Sequence, residues 1–157
     1  MIALQPTTRA MQGQGPGSPT GLEALRARLI DGPSVGAATL LGMRPTLVEH
    51  GTVTFACEAV AAFANPMGTV HGGIIATLLD SALGCAVQSV LPPDTGYTTL
   101  GLEVKYLRAV PLDAGELQAT GTVVHAGRRQ ATADGRLTDR DGRVLATATT
   151  TCLVLSG

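Results

Sequence analysis

Apolar residues recur at helical spacing at Leu22, Leu25, Leu29 and Ile30, just behind Thr20. Thr20 and Glu23 have the spacing of a capping box. Together these predict a short amphipathic helix, stopped by Asp31-Gly32-Pro33. From Gly36 to Ala59 the pattern reads as two strands, broken near His50-Gly51. From Gly72 to Leu91 it reads as one long helix, halted by Pro92-Pro93. Four strand-like segments follow. The first, 98–110, alternates Leu100, Leu102, Val104 and Tyr106. The second, 116–125, alternates Leu117, Ala119, Gly121 and Val123. Segments 130–139 and 143–155 complete the set, with turn signals such as Asp141-Gly142 between segments. Residues 1–19 carry no such pattern and are rich in Gly, Pro, Thr and Gln. The expectation is a mobile tail over 1–19 and a single domain over 20–157.

This order is a short helix, two strands, a long helix and four strands. Short links between the last four strands predict antiparallel neighbours, so the class is α+β. One face of such a sheet must be covered, and only the Gly72–Leu91 helix is long enough. That helix has no Lys, Arg or Glu, and Asp80 is its sole charge. A solvent-facing helix of this length would carry more. The sheet is therefore expected to wrap the helix, and a second subunit to cover the rest.

Composition supports association. Only 15% of the 157 residues are charged, against about a quarter in an ordinary soluble domain. Net charge is −1 with no basic or acidic block, which argues against nucleic acid and membrane surfaces as partners. No apolar run is expected to reach the length of a membrane span, and the N-terminus lacks the apolar stretch of a signal peptide. Cys57, Cys85 and Cys152 form no CxxC pair and read as reduced, packed thiols of a cytoplasmic protein. His50, His71 and His125 lack zinc-site spacing, so neither metal nor cofactor is expected.

The long helix holds the chemistry. Ile74, Ile75, Leu78, Leu79, Ala82, Leu83, Ala86 and Val87 make a wide apolar face. Thr77, Asp80, Ser81, Gly84 and Gln88 make a second stripe, small enough to admit a ligand or another chain. At the helix start, His71-Gly72-Gly73 allows close backbone approach. The first amides have no intrahelical acceptor and lie at the positive end of the helix dipole, where a developing oxyanion is stabilised. Asp80 lies eight residues after Gly72, roughly 12 Å of rise along the helix. Two antiparallel helices from two subunits would bring one helix's Asp80 to the other's N-terminus.

The pattern Asn65-x-x-Gly68-x-x-His71-Gly72-Gly73, with Asp80 on the same helix, resembles the hotdog-fold acyl-CoA thioesterases of the phenylacetate-pathway (PaaI) type. The resemblance covers roughly residues 36–155, including the closing hairpin with Gly127-Arg128 and Asp141-Gly142. It implies an antiparallel sheet wrapped around one central helix, and hydrolysis of an acyl-CoA thioester by a dimer or dimer of dimers. It gives Asp80 the role of nucleophile or general base, and the Gly72 N–H that of polarising donor. Asn65 and His71 position substrate, water or the leaving thiolate, and Thr99 helps to hold the water. Gly73 is implied in substrate binding, and Arg128 and Arg129 fall where CoA phosphates often meet the fold. Two rival readings share the fold: a non-catalytic acyl-CoA-binding protein, and a dehydratase or hydratase acting on an acyl thioester.

Overall fold

The computed structural model describes residues 17–32 and 36–156. The proposed tail therefore falls largely outside the described residues, as does the Pro33 stop signal.

Helix α1, Gly21–Leu29, begins as the sequence indicates. Thr20 caps it, and the reciprocal Thr20–Glu23 capping box is complete. Its first residue meets the far end of the long helix: the Gly21 N–H donates to the Leu91 carbonyl at 3.0 Å. A Cβ at Gly21 would lie 2.0 Å from the Gln88 carbonyl oxygen, so only glycine fits this crossing.

The segment expected to open the first strand differs. Residues Ala37–Leu40 form a helical turn, α2, and strand β1 starts only at Arg44 (Arg44–Glu49). The cause is a helix stop at Gly42, whose φ is +62°. Its N–H donates to the Thr39 carbonyl, and the Met43 N–H to that of Ala38, the pairing of a Schellman cap. Strand β2, Thr52–Glu58, follows the turn at Gly51. A 3₁₀ turn, Ala61–Phe63, then leads towards helix α3, Gly72–Ser89, which ends within two residues of expectation. Strands β3 (Thr95–Tyr106), β4 (Glu116–Ala126), β5 (Gln130–Thr138) and β6 (Val144–Ser156) complete the chain.

The six strands form one antiparallel sheet in the order β1-β2-β4-β5-β6-β3. One expectation fails here. Strands β3 and β4 are consecutive but not neighbours, because β3 pairs with β6 at the far edge. Residues 107–115 carry the chain across instead, and they pass the start of α3: the Val70 N–H donates to the Val110 carbonyl at 2.9 Å. This crossover leaves β3, a 12-residue strand, as an edge.

The sheet wraps α3 as a hotdog fold does. Leu78, Leu79, Ala82, Leu83, Ala86 and Val87 are all buried against it. Strand β4 comes so close that a Cβ on Gly121 would lie 2.6 Å from the Ala82 backbone. Among the described residues α3 alone, with a mean hydropathy of 1.2, is long and apolar enough to cross a membrane, against the expectation that no apolar run is long enough. Half of it is buried inside the fold, as the core helix of the sheet.

Candidate active site

Strand β3 runs antiparallel along the polar stripe of α3 and touches it turn by turn. The Gln88 side-chain amide donates to the Thr95 carbonyl at 3.3 Å. One turn back, Tyr97 lies over Gly84, where a Cβ would sit 2.2 Å from the tyrosine oxygen. One further turn back, Thr99 Oγ1 donates to Asp80 Oδ1 at 3.1 Å. At the helix start, the Tyr106 hydroxyl donates to the Gly72 carbonyl at 2.9 Å. The small residues of the stripe thus answer first to their own chain. The space that Gly84 leaves is filled by Tyr97, not by a ligand or a second subunit.

Asp80 is half-buried. Burying a carboxylate is costly without partners, and among the described residues Thr99 supplies its one hydrogen bond. A β-bulge between Thr99 and Gly101 bends β3 beside it and leaves Leu100 exposed. The other titrating groups nearby are held neutral. Burial pushes the Cys85 thiol up to about 12. Burial, then the charges of Cys85, Cys152 and Asp80, push Tyr97 upward as well. Cys152, opposite Thr99 on β6, is raised by burial.

The second half of the site surrounds the helix start. His71 is the N-cap, and its Nδ1 accepts from the Gly73 N–H at 2.9 Å. The Gly73 amide is thereby committed. The Gly72 N–H has no acceptor among the described residues, and it is the donor left at the positive end of the dipole. Asn65 shapes the preceding loop. Its Oδ1 accepts from the Met67 and Thr69 amides, and its Nδ2 donates to Thr69 Oγ1 at 2.9 Å. Gly68, at φ +77°, lets that loop turn. Asn65 and Gly72 line one groove of about 270 Å³ together with Tyr106 and Arg108.

Within one chain the two halves stay apart. Asp80 does not line this groove, and it lies roughly 12 Å further along a rigid helix. Arg128 and Arg129 are further still. They are exposed in the β4–β5 turn, at the end of the sheet that holds the C-terminus of α3. Tyr106 and Arg108 had no signal of their own: Tyr106 read only as an alternating strand position, and only the crossover places Arg108 beside Gly72. Among the described residues no cluster of His, Cys, Asp and Glu could hold a metal ion.

The family model of the thioesterase superfamily matches residues 67–146, from the Asn65–Gly73 loop into the start of β6. The chain belongs to the thioesterase superfamily. This membership makes it a thioester hydrolase of the hotdog fold. A solved structure of a phenylacetic acid degradation-related protein from Ralstonia eutropha JMP134 is 31% identical. It superposes with a TM-score of 0.73 over 82% of this chain and 98% of that one. A 1,4-dihydroxy-2-naphthoyl-CoA hydrolase of Listeria monocytogenes is 24% identical over 111 residues, 71% of this chain and 89% of that one. A Halobacterium salinarum protein described as an esterase is 47% identical over 62 residues, and the match spans 38% of this chain and 39% of that protein.

Proposed function

We propose that the protein hydrolyses acyl-CoA thioesters to the free acid and CoA, with Asp80 carrying the chemical step. The observation behind this is the Asp80–Thr99 pair: a half-buried carboxylate on an otherwise uncharged helix, with one oxygen held by a hydroxyl and the other unengaged by the described residues. Family membership and the CoA hydrolase relative support the substrate class.

A thioester carbonyl is already electrophilic, so one carboxylate and one oxyanion donor suffice. Asp80 either attacks the carbonyl carbon, giving an anhydride that water opens, or takes a proton from the attacking water. The carbonyl oxygen gathers charge at the Gly72 N–H, the C–S bond breaks, and the thiolate takes up a proton. The distance between Gly72 and Asp80 along one helix supports a site built from two subunits. Asp80 of one protomer works with the helix start of the other, where Asn65 and Gly72 line the groove and His71 caps the helix beside it. Thr99 holds the carboxylate, and with it the water. Gly73 contributes through its lack of a side chain, since its amide is used by His71. Arg128 and Arg129, exposed and without an ion pair among the described residues, meet the CoA phosphates. Replacing both with Ala raises KM for full CoA thioesters and leaves kcat near wild type; an unchanged KM contradicts that role. Three free thiols fit a cytoplasmic protein.

The direct test is Asp80→Asn, which keeps size and removes charge. Thiol release from a panel of acyl-CoAs should fall by about 100-fold or more in kcat. Wild-type turnover in the folded variant contradicts the assignment.

A further inference from the structure

Asp80 lies part-way along the stripe of α3 that faces β3, and the stripe differs on its two sides. Towards the helix start it is open and polar. His71 and Gly73 are exposed there, and Asn65 and Arg108 line the groove beside Gly72. Towards the helix end it is closed and apolar. Gly84 is buried, Cys85 and Tyr97 are half-buried, and Cys152, opposite Thr99 on β6, is buried completely.

The ring of Tyr97 is the end wall of the closed side. Gly84 is four residues past Asp80, roughly 6 Å of rise along the helix. A Cβ on Gly84 would lie 2.2 Å from the tyrosine oxygen, 2.8 Å from Cζ and 2.9 Å from Cε2. The tip of the ring therefore rests on the helix backbone, and only a glycine lets it reach so far. Val154, the register partner of Tyr97 on β6, packs against the core beside it. The Tyr97 hydroxyl has no hydrogen-bond partner among the described residues, so the ring is held there by packing. Behind it, the Gln88–Thr95 hydrogen bond ties helix to strand.

We infer that Tyr97 sets the length of the acyl group this protein accepts, and that its substrates are short-chain acyl thioesters. The inference rests on Asp80 being the reacting carboxylate. A thioester held there has two unlike ends. CoA is charged and stays in contact with water, whereas an acyl chain gains by leaving it. CoA therefore leaves past the open helix start, and the acyl group runs towards Gly84. It meets the Tyr97 ring about one helical turn beyond the carboxylate. A butyryl chain ends before the ring. An octanoyl chain has to displace it or stay in water, and either costs binding.

Binding can be read apart from hydrolysis in the Asp80→Asn protein. Calorimetric titration should show octanoyl-CoA binding about 10-fold more weakly than butyryl-CoA, or worse. Adding Tyr97→Ala should invert that order, because each methylene that enters apolar space adds about fourfold in affinity. Tyr97→Phe keeps the ring and should keep the original order. With Asp80 restored, kcat/KM for the two thioesters should follow the same pattern. If Tyr97→Ala misfolds, Tyr97→Val opens the same space with a good strand former. Octanoyl-CoA bound as tightly as butyryl-CoA while Tyr97 is present overturns the inference, as does failure to bind either. So does a folded Tyr97→Ala or Tyr97→Val protein with the order unchanged, or an inversion in Tyr97→Phe. The expected order of binding, its inversion on removing the ring, and no thiol released by the Asp80 protein would uphold the length limit and overturn the hydrolysis.

Discussion

Helix α3 is closed on one side by β2, β4 and β5 and on the other by β3, and the two closures differ in kind. Against β4 the helix is buried by apolar contact at backbone distance, with Gly121 pressed onto Ala82 and Leu83. Against β3 it is held by single polar or ring contacts, one turn apart from Gln88–Thr95 to Asp80–Thr99, with Tyr106–Gly72 two turns further back. The first closure leaves no atom room to move. The second leaves a carboxylate with one hydrogen-bond partner, beside an exposed strand edge. Rigidity on one side is what allows a loosely satisfied charge to be fixed in position on the other.

Glycine substitutions separate the two sides most sharply. At Gly121 a methyl would meet backbone atoms of Ala82 and Leu83 at 2.6–2.7 Å, and neither can step aside. Gly121→Ala should cost about 3 kcal/mol or more, read as a large loss in denaturation midpoint. At Gly84 the clash is with the tip of the Tyr97 ring, a side chain that can rotate. Gly84→Ala should cost less, about 1–2 kcal/mol. Equal losses at the two positions would mean that β3 is packed as tightly as β4.

The β3 side should also show in alkali, with a smaller effect. Cys85 lies near 12 in the fold against an ordinary 9.0, and burial raises Tyr97 and Cys152 in the same direction. Below pH 9 the Cys85 thiol is protonated in both folded and unfolded chains, so its contribution to stability is fully present. Between about 9 and 12 only the unfolded chain releases the proton, and stability falls as pH rises. Tm should hold up to about pH 9 and then decline steadily to pH 11. A flat profile would show that these groups are hydrated rather than buried.

The same contrast explains what was legible in the sequence. The apolar face of α3 was readable because periodicity states it directly, and strands β4 to β6 followed from alternation and turn signals. The Asp80–Thr99 pairing was accessible from the resemblance, but Tyr97 on Gly84 was not, since no local pattern says which strand will cover a stripe. The order of strands was missed for a related reason. Proximity in sequence favours β3 beside β4, whereas the 107–115 crossover, tied to Val70, sends β3 to the far edge. Gly42 carried a readable signal, a glycine closing a helical turn, but the turn of four residues is too short for periodicity to reveal.

The central claim is that each site takes Asp80 from one chain and the helix start from the other. Mixing two inactive proteins, Asp80→Asn and His71→Ala, tests it most directly. In a mixed dimer one site receives both lesions and the other neither. Equal co-refolding gives half mixed dimers, so roughly a quarter of wild-type hydrolysis should return if sites act independently. If each site used a single chain, every site would keep one lesion. Mixtures confirmed by tags on both chains, yet as inactive as either parent, would contradict the account.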